Sequence, residues 1–140
     1  MSRLANLFGF FQPVMLSLFR IMVGLVFLQF GLSKLTGFPT AVPTSAAFPG
    51  QILFSGIMET AGGVLLVLGL FTRPAAFILA GYMAVAVFWI HVPRDILPAR
   101  NGGNLAVLFC FGFLYLMTAG AGPLSLDRIL GLEKPDAAKT

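Results

Sequence analysis

Charged side chains are absent from residues 21–33, 35–58, 60–72, 74–93 and 101–126. These stretches are rich in Leu, Val, Phe, Ala and Gly, and they are punctuated by prolines and by isolated bases. A bilayer crossing takes about 20 mostly apolar residues. The pattern therefore predicts four membrane-spanning helices, at about 14–35, 52–71, 74–92 and 104–119. Residues 1–12 mix Arg3, Asn6 and Gln12 with Phe and Leu, which predicts a short interfacial helix lying on the membrane. Pro13 then suits the first turn of the first span, where an N–H would have no partner.

The connections follow from the helix breakers. Residues 38–51 carry Pro39, Pro43 and Pro49 and read as a loop. Thr72-Arg73-Pro74 is so short a link that the second and third spans must form an antiparallel hairpin. Pro93, Pro98 and Asn101-Gly102-Gly103 make the next loop. Gly120, Gly122 and Pro123 end the fourth span, and a polar C-terminal tail is expected over 120–140. The chain is thus expected to be one domain, an all-α integral membrane four-helix antiparallel bundle with both termini on the same side. That side carries Arg3, Arg73, Arg128, Lys134 and Lys139, against Lys34, Arg94 and Arg100 on the other. The excess of bases predicts cytoplasmic termini.

Composition excludes whole classes of function. Of 140 residues, 58% are hydrophobic and 10% are charged, whereas a soluble domain has about 25% charged residues. A soluble globular enzyme cannot be coated with so few. The net charge of +4 comes from bases placed singly at segment ends, which suits anionic lipid and not nucleic acid. Cys110 stands alone, so neither a disulfide framework nor a cysteine metal site can form within the chain. His91 is the one histidine, and no haem-attachment motif or zinc or copper ligand set accompanies it. No metal site and no covalent cofactor is expected.

The polar residues within the spans carry the candidate chemistry. A charge at mid-membrane costs roughly 2.5–3.5 kcal/mol on insertion scales, so it normally faces the bundle interior with a partner. Arg20, Glu59 and His91 lie within spans, and Lys34 and Asn104 at span ends. Helical spacing puts Arg20, Gly24, Phe27, Gly31 and Lys34 on one stripe of the first span. Ser55, Glu59, Gly62 and Gly63 share a face of the second span, and Ala76, Ala80, Ala84 and His91 a face of the third. Small residues let membrane helices approach closely, so the polar groups lie on contact faces. With a rise of about 1.5 Å per residue, Lys34, Glu59, His91 and Asn104 are expected in the outer half as one cluster. Arg20 is expected nearer the inner boundary, snorkelling inward or reaching toward Glu59.

Such a cluster can serve proton-coupled chemistry or be purely structural. A carboxylate, an imidazole and an ammonium in low dielectric have tuned protonation states. A quinone head group needs donors at its oxygens and a route for protons, which Lys34, His91 and Glu59 could supply. The structural alternative is an Arg20–Glu59 ion pair with His91 hydrogen-bonded in the bundle. Tyr82 and Tyr115 fit either an interfacial belt or a pocket wall, and Trp89 is expected in the belt.

Several short motifs fall in a recognisable order: Arg20-x-x-x-Gly24 with Gly31-x-x-Lys34, and Glu59-x-x-Gly62-Gly63 running into Leu68-Gly69-Leu70-Phe71-Thr72-Arg73. His91, Gly102-Gly103-Asn104 and Gly120-x-Gly122-Pro123-Leu124-Ser125-Leu126-Asp127 follow. In this order the chain resembles the DoxX family of small four-span bacterial membrane proteins over nearly all of residues 16–131. It departs from the family's pattern at Asn104, where many relatives carry Glu. The resemblance implies a bacterial inner-membrane protein that is often labelled an oxidoreductase and is similar to the DoxD-type small subunit of a thiosulfate–quinone oxidoreductase.

Three functions are open at this point. The first is an oxidoreductase component acting with quinone or with a cofactor-bearing partner. Glu59 and His91 would be its catalytic residues, and Arg20, Lys34 and Asn104 would bind the quinone. The second is a non-catalytic anchor or scaffold subunit that uses the charged tail. The third is a small solute carrier. The partners expected are the lipid bilayer and either a redox subunit or further copies of the chain.

Overall fold

The computed structural model describes residues 2–41 and 49–133, with side chains from residue 8 onward. Lys134 and Lys139, two of the bases behind the expected orientation, and the side chain of Arg3 lie outside that description. The described residues are all helical or irregular. Helix α1 spans Ser2–Thr36, α2 Pro49–Leu68, α3 Thr72–Ala86, α4 Pro98–Asn101, α5 Asn104–Ala119 and α6 Leu126–Ile129. A π-helical turn, Val87–His91, continues α3. Residues Phe8–Thr36, Pro49–Leu68 and Thr72–His91 are each long and apolar enough to cross a membrane, and α5 is a shorter apolar helix. These four make the expected bundle.

The outer surface is that of a membrane protein. Phe77, Ile78 and Phe88 on one side and Leu108 and Phe111 on another are more than half exposed. A water-facing domain does not carry so many apolar side chains on its helices. The interior holds Phe27, Leu66, Leu79, Met83, Phe109, Phe113 and Leu116.

The bundle is built as two tight pairs, α1 on α2 and α3 on α5, with sparser contact between the pairs. Glycine explains the first pair. A Cβ on Gly24 would meet Val67 at 2.9 Å, one on Gly63 would meet Leu28 at 2.7 Å, and one on Gly56 would meet Leu35 at 2.7 Å. A Cβ on Gly31 would collide with the amide and hydroxyl of Thr60. The contacts thus run 24 to 67, 28 to 63, 31 to 60 and 35 to 56, an antiparallel register in steps of four, three and four. That is the heptad spacing of a left-handed coiled coil, with a glycine at each level on one helix or the other. The pairs are joined across the middle by Phe27, whose ring meets Phe109 at 5.2 Å and Phe113 at 5.0 Å, edge-on to both.

Several boundaries differ from those expected, each for a physical reason. Residues 2–12 are not a separate interfacial helix; Pro13 sits inside a continuous α1. Pro13 removes the N–H that would pair with the Gly9 carbonyl and its ring crowds that carbonyl, yet the helix runs on through it. Helix α2 begins at Pro49, not Ile52, because proline is favoured in a first turn. It ends at Leu68, where Gly69 adopts φ +67°. The link to α3 is therefore Gly69–Phe71, with Thr72 already helical.

The polar tail expected from residue 120 is instead folded structure as far as Glu133. Gly120 and Gly122, with φ of +89° and +76°, turn the chain back under the bundle. Leu124 N–H donates to Ser17 Oγ at 3.1 Å, and Asp127 N–H to the Gly69 carbonyl at 2.9 Å. Ser125 caps α6. This segment lies at the same end as the Pro13–Arg20 stretch of α1, so the start of the first span and residues 120–133 share one side.

Candidate functional site

At the end of the bundle opposite that segment, the two helix pairs separate around a cavity of about 920 Å³. Its walls come from α1, α2, α3, the π turn and α5, and they are mainly apolar, with Phe27, Phe30, Met83 and Phe109 among them. Lys34, Ser55, Glu59, Tyr82 and His91 supply polar groups to the lining, and Gln51 and Arg94 lie on it as exposed residues.

Glu59 is the centre of this polar group. Its side chain is 6% exposed, and Oε1 receives the Lys34 ammonium at 2.6 Å. The Tyr82 hydroxyl donates to the same oxygen at 3.3 Å. The other oxygen, Oε2, is buried and has no hydrogen-bond partner among the described residues. The local sequence makes this possible. Gly56 lets Lys34 and Leu35 of α1 press against α2, and Gly62 makes room for Leu79 of α3. Both neighbouring helices are thereby brought to the Glu59 level.

His91 is placed by the π turn. The wider i→i+5 ladder, closed by Val92 N–H on the Val87 carbonyl at 2.9 Å, ends α3 at the cavity; such turns recur at functional sites. Its Nδ1 lies 3.0 Å from the Asn101 carbonyl. Asn101 itself is buried. Its amide donates to the Asp95 carbonyl at 2.6 Å and accepts from Gly103 N–H at 2.7 Å. In a membrane, irregular backbone is tolerated only where protein satisfies its polar groups, and Asn101 does so for the turn before the short helix α5.

Of the expected cluster, Lys34, Glu59 and His91 line one cavity and Asn104 does not. Asn104 opens α5 exposed, and is absent from the cavity wall. Helix α5 points its Ala106 and Phe109 face inward, which turns its first residue away. Arg20 is likewise elsewhere. It is fully buried, and it neither pairs with Glu59 nor snorkels. Its guanidinium donates to the carbonyls of Leu66 at 2.8 Å, Val67 at 3.4 Å and Leu124. It thus ties the C-terminus of α2, where carbonyls lack helical partners, to the returning C-terminal segment.

That end of the bundle is held by two further ties. The Asp127 carboxylate accepts from Phe71 N–H at 2.7 Å and Thr72 N–H at 2.8 Å, capping α3 from far along the chain. Arg73 pairs with Glu133 at 2.9 Å and donates to the Met117 and Thr118 carbonyls at the end of α5. The motifs around Gly69 and Gly122 that mark the resemblance meet here, so they serve the fold.

Of the two readings open for Tyr82, the pocket wall holds, with its bond to Glu59 as an addition; Asn101, expected only as loop, is the residue whose part was missed. Tyr82 lies seven positions after Ala75 and three after Leu79, both on the inward face of α3, and that phase was the available signal. Tyr115 is exposed, its ring edge-on to Phe19 at 5.8 Å, as a belt residue would be. Trp89 is 81% exposed and also forms part of the cavity wall.

The DoxX family profile matches residues 15–92. An uncharacterized protein of Haemophilus influenzae is 40% identical over 123 residues, covering 84% of this chain and 92% of its own. Escherichia coli Inner membrane protein YphA is 33% identical over 86% of this chain and 94% of its own. Inner membrane protein YqjF of the same organism is 29% identical over 79% and 88%. No solved structure matches the chain. Membrane-length helices, the match over the first three spans and the two named relatives agree: the chain belongs to the DoxX family of integral inner-membrane proteins.

Proposed function

We propose that the chain is the membrane component of an oxidoreductase and that the cavity between its helix pairs takes a molecule of the quinone class. The observation that carries this reading is an apolar cavity lined by a buried carboxylate, its ammonium partner, a phenol and an imidazole. The donor and acceptor set fits such a group: an apolar wall for the ring and tail, and Glu59, Lys34 and His91 for the oxygens. A bound quinone supplies the capacity to carry two electrons and two protons. The chain's own residues would then bind and orient it and move protons at Glu59 and His91, while Lys34 and Tyr82 hold the Glu59 carboxylate in place. Electrons would be exchanged with a partner subunit bearing a flavin, metal or thiol cofactor. Arg20 and Asn104 have no part in this site.

The chain contains one tryptophan, and it lies on the cavity wall, so its fluorescence reports occupancy directly. Titration of the protein in nanodiscs with a short-chain quinone is expected to quench Trp89 saturably. For whichever of the quinone and its hydroquinone binds more tightly, Glu59→Gln and His91→Ala are expected to raise the half-saturation point at least about tenfold, the loss of one hydrogen bond to the ligand. Quenching that grows linearly with quinone in wild type and both variants alike would overturn the reading.

A further inference from the structure

The polar atoms deep in the cavity are hydrogen-bond acceptors. Glu59 is 5% exposed, and its Oε1 already receives the Lys34 ammonium and the Tyr82 hydroxyl. Both donors are spent on Oε1, and a carboxylate paired in this way with an ammonium offers its remaining oxygen only as an acceptor. Its Oε2 is buried and unpartnered among the described residues, and an acceptor left so costs about 1–3 kcal/mol. Tyr82 directs its hydrogen at Glu59, and Ser55 directs its own at the Ile52 carbonyl at 3.0 Å. Both hydroxyls therefore offer lone pairs to an occupant.

His91 adds another acceptor. Its Nδ1 faces the Asn101 carbonyl at 3.0 Å, and a carbonyl cannot donate, so Nδ1 carries the hydrogen. In the neutral ring, Nε2 is then an acceptor. The donors with hydrogens to spare are the half-buried Lys34 and the exposed Gln51, Trp89 and Arg94 on the cavity lining.

A quinone presents carbonyl oxygens, which are acceptors, and would leave Oε2 and Nε2 facing lone pairs. A quinol of the same skeleton presents two hydroxyl hydrogens. We infer that the cavity selects the reduced, hydroxyl-bearing form, a quinol or similar aromatic diol, with its hydrogens donated to Glu59 Oε2 and His91 Nε2. This rests on the quinone-class reading above and adds to it the redox state that binds. The chain is then a site at which reduced carrier is held, and Lys34 and Tyr82 act as positioning residues that leave Oε2 free to accept.

The test is a ligand series on the unaltered protein in nanodiscs, under anaerobic conditions, read as the half-saturation point of Trp89 fluorescence. The series comprises a short-chain alkyl hydroquinone, its oxidised quinone and its dimethyl ether, which keeps the shape and has no donor. A site built to accept from a hydroxyl rejects analogues lacking it strongly. The hydroquinone is therefore expected to half-saturate at least about tenfold below both others. Glu59→Gln, whose amide can donate as well as accept, is expected to narrow the gap between hydroquinone and quinone. Equal or tighter binding of the quinone, or equal binding of the dimethyl ether, would overturn this inference and leave the quinone-class site standing. If none of the three saturates, both proposals fall.

Discussion

A buried carboxylate with a single cationic partner makes Glu59 and Lys34 energetically inseparable. Removing one partner of a buried ion pair leaves an uncompensated charge and costs about 3–5 kcal/mol, whereas replacing both with neutral groups is often close to neutral. Lys34→Met is therefore expected to lower thermal stability markedly, and Lys34→Met with Glu59→Gln to restore most of the loss. A four-corner cycle of melting temperatures measures this, and additive effects would mean that the pair is not coupled. At this scale the sequence was informative about Lys34 and Glu59, because a bilayer forces charges inward and helical phase gives the face. It put Arg20 on the right face but gave it the wrong partner, since its partners are backbone carbonyls. Carbonyls are present at every position, so nothing in the residue pattern distinguishes the three that Arg20 uses.

Helix α1 meets α2 through glycines on both sides, seven residues apart on each: Gly24 and Gly31 on one, Gly56 and Gly63 on the other. The seven-residue spacing was visible in the sequence. The spacing alone would equally admit Gly62 and Gly69 on α2's side, but Gly62 faces Leu79 of α3 and Gly69 is a turn whose Cβ would strike Arg20. Only the antiparallel register, which depends on where α2 starts, separates the two assignments. Gly31→Val is expected to force α1 off the Thr60 backbone and to lower the melting temperature by the equivalent of about 1–3 kcal/mol, the usual penalty of overpacking. Gly81, also within a span, has open space where a Cβ would stand. Gly81→Ala is expected to change stability by less than about 1 kcal/mol. Equal losses in the two variants would show that glycine at the α1–α2 contact is not there for close approach.

The molecule as a whole has two unlike ends. One is tied through Arg20, Asp127 and Arg73 to backbone groups of three different helices; the other surrounds the cavity. The tied end was the least legible part of the sequence. A helix cap supplied by Asp127 to Phe71 and Thr72 spans more than fifty positions, and propensity reads only neighbours. Ending the chain at Ala119 strips the Asp127 cap and the Arg73–Glu133 pair and leaves Arg20 without its Leu124 partner. It is expected to destabilise the bundle at least as much as Asp127→Ala alone, which removes one cap worth about 1–2 kcal/mol. Detergent melting curves of the two variants compare them, and a truncated chain as stable as wild type would show that residues 120–133 merely rest on the surface.

The glycine register links these two ends in a way that concerns counting, not chemistry. Arg20 and Lys34 are two heptads apart on one unbroken helix, so the tie and the site share an angular phase. A single residue inserted between Gly24 and Gly31 would rotate one half of α1 against the other by about 100°. Lys34 could then still meet Glu59 only if Arg20 swung out into lipid. Along this helix the spacing of residues is as much under constraint as their identity.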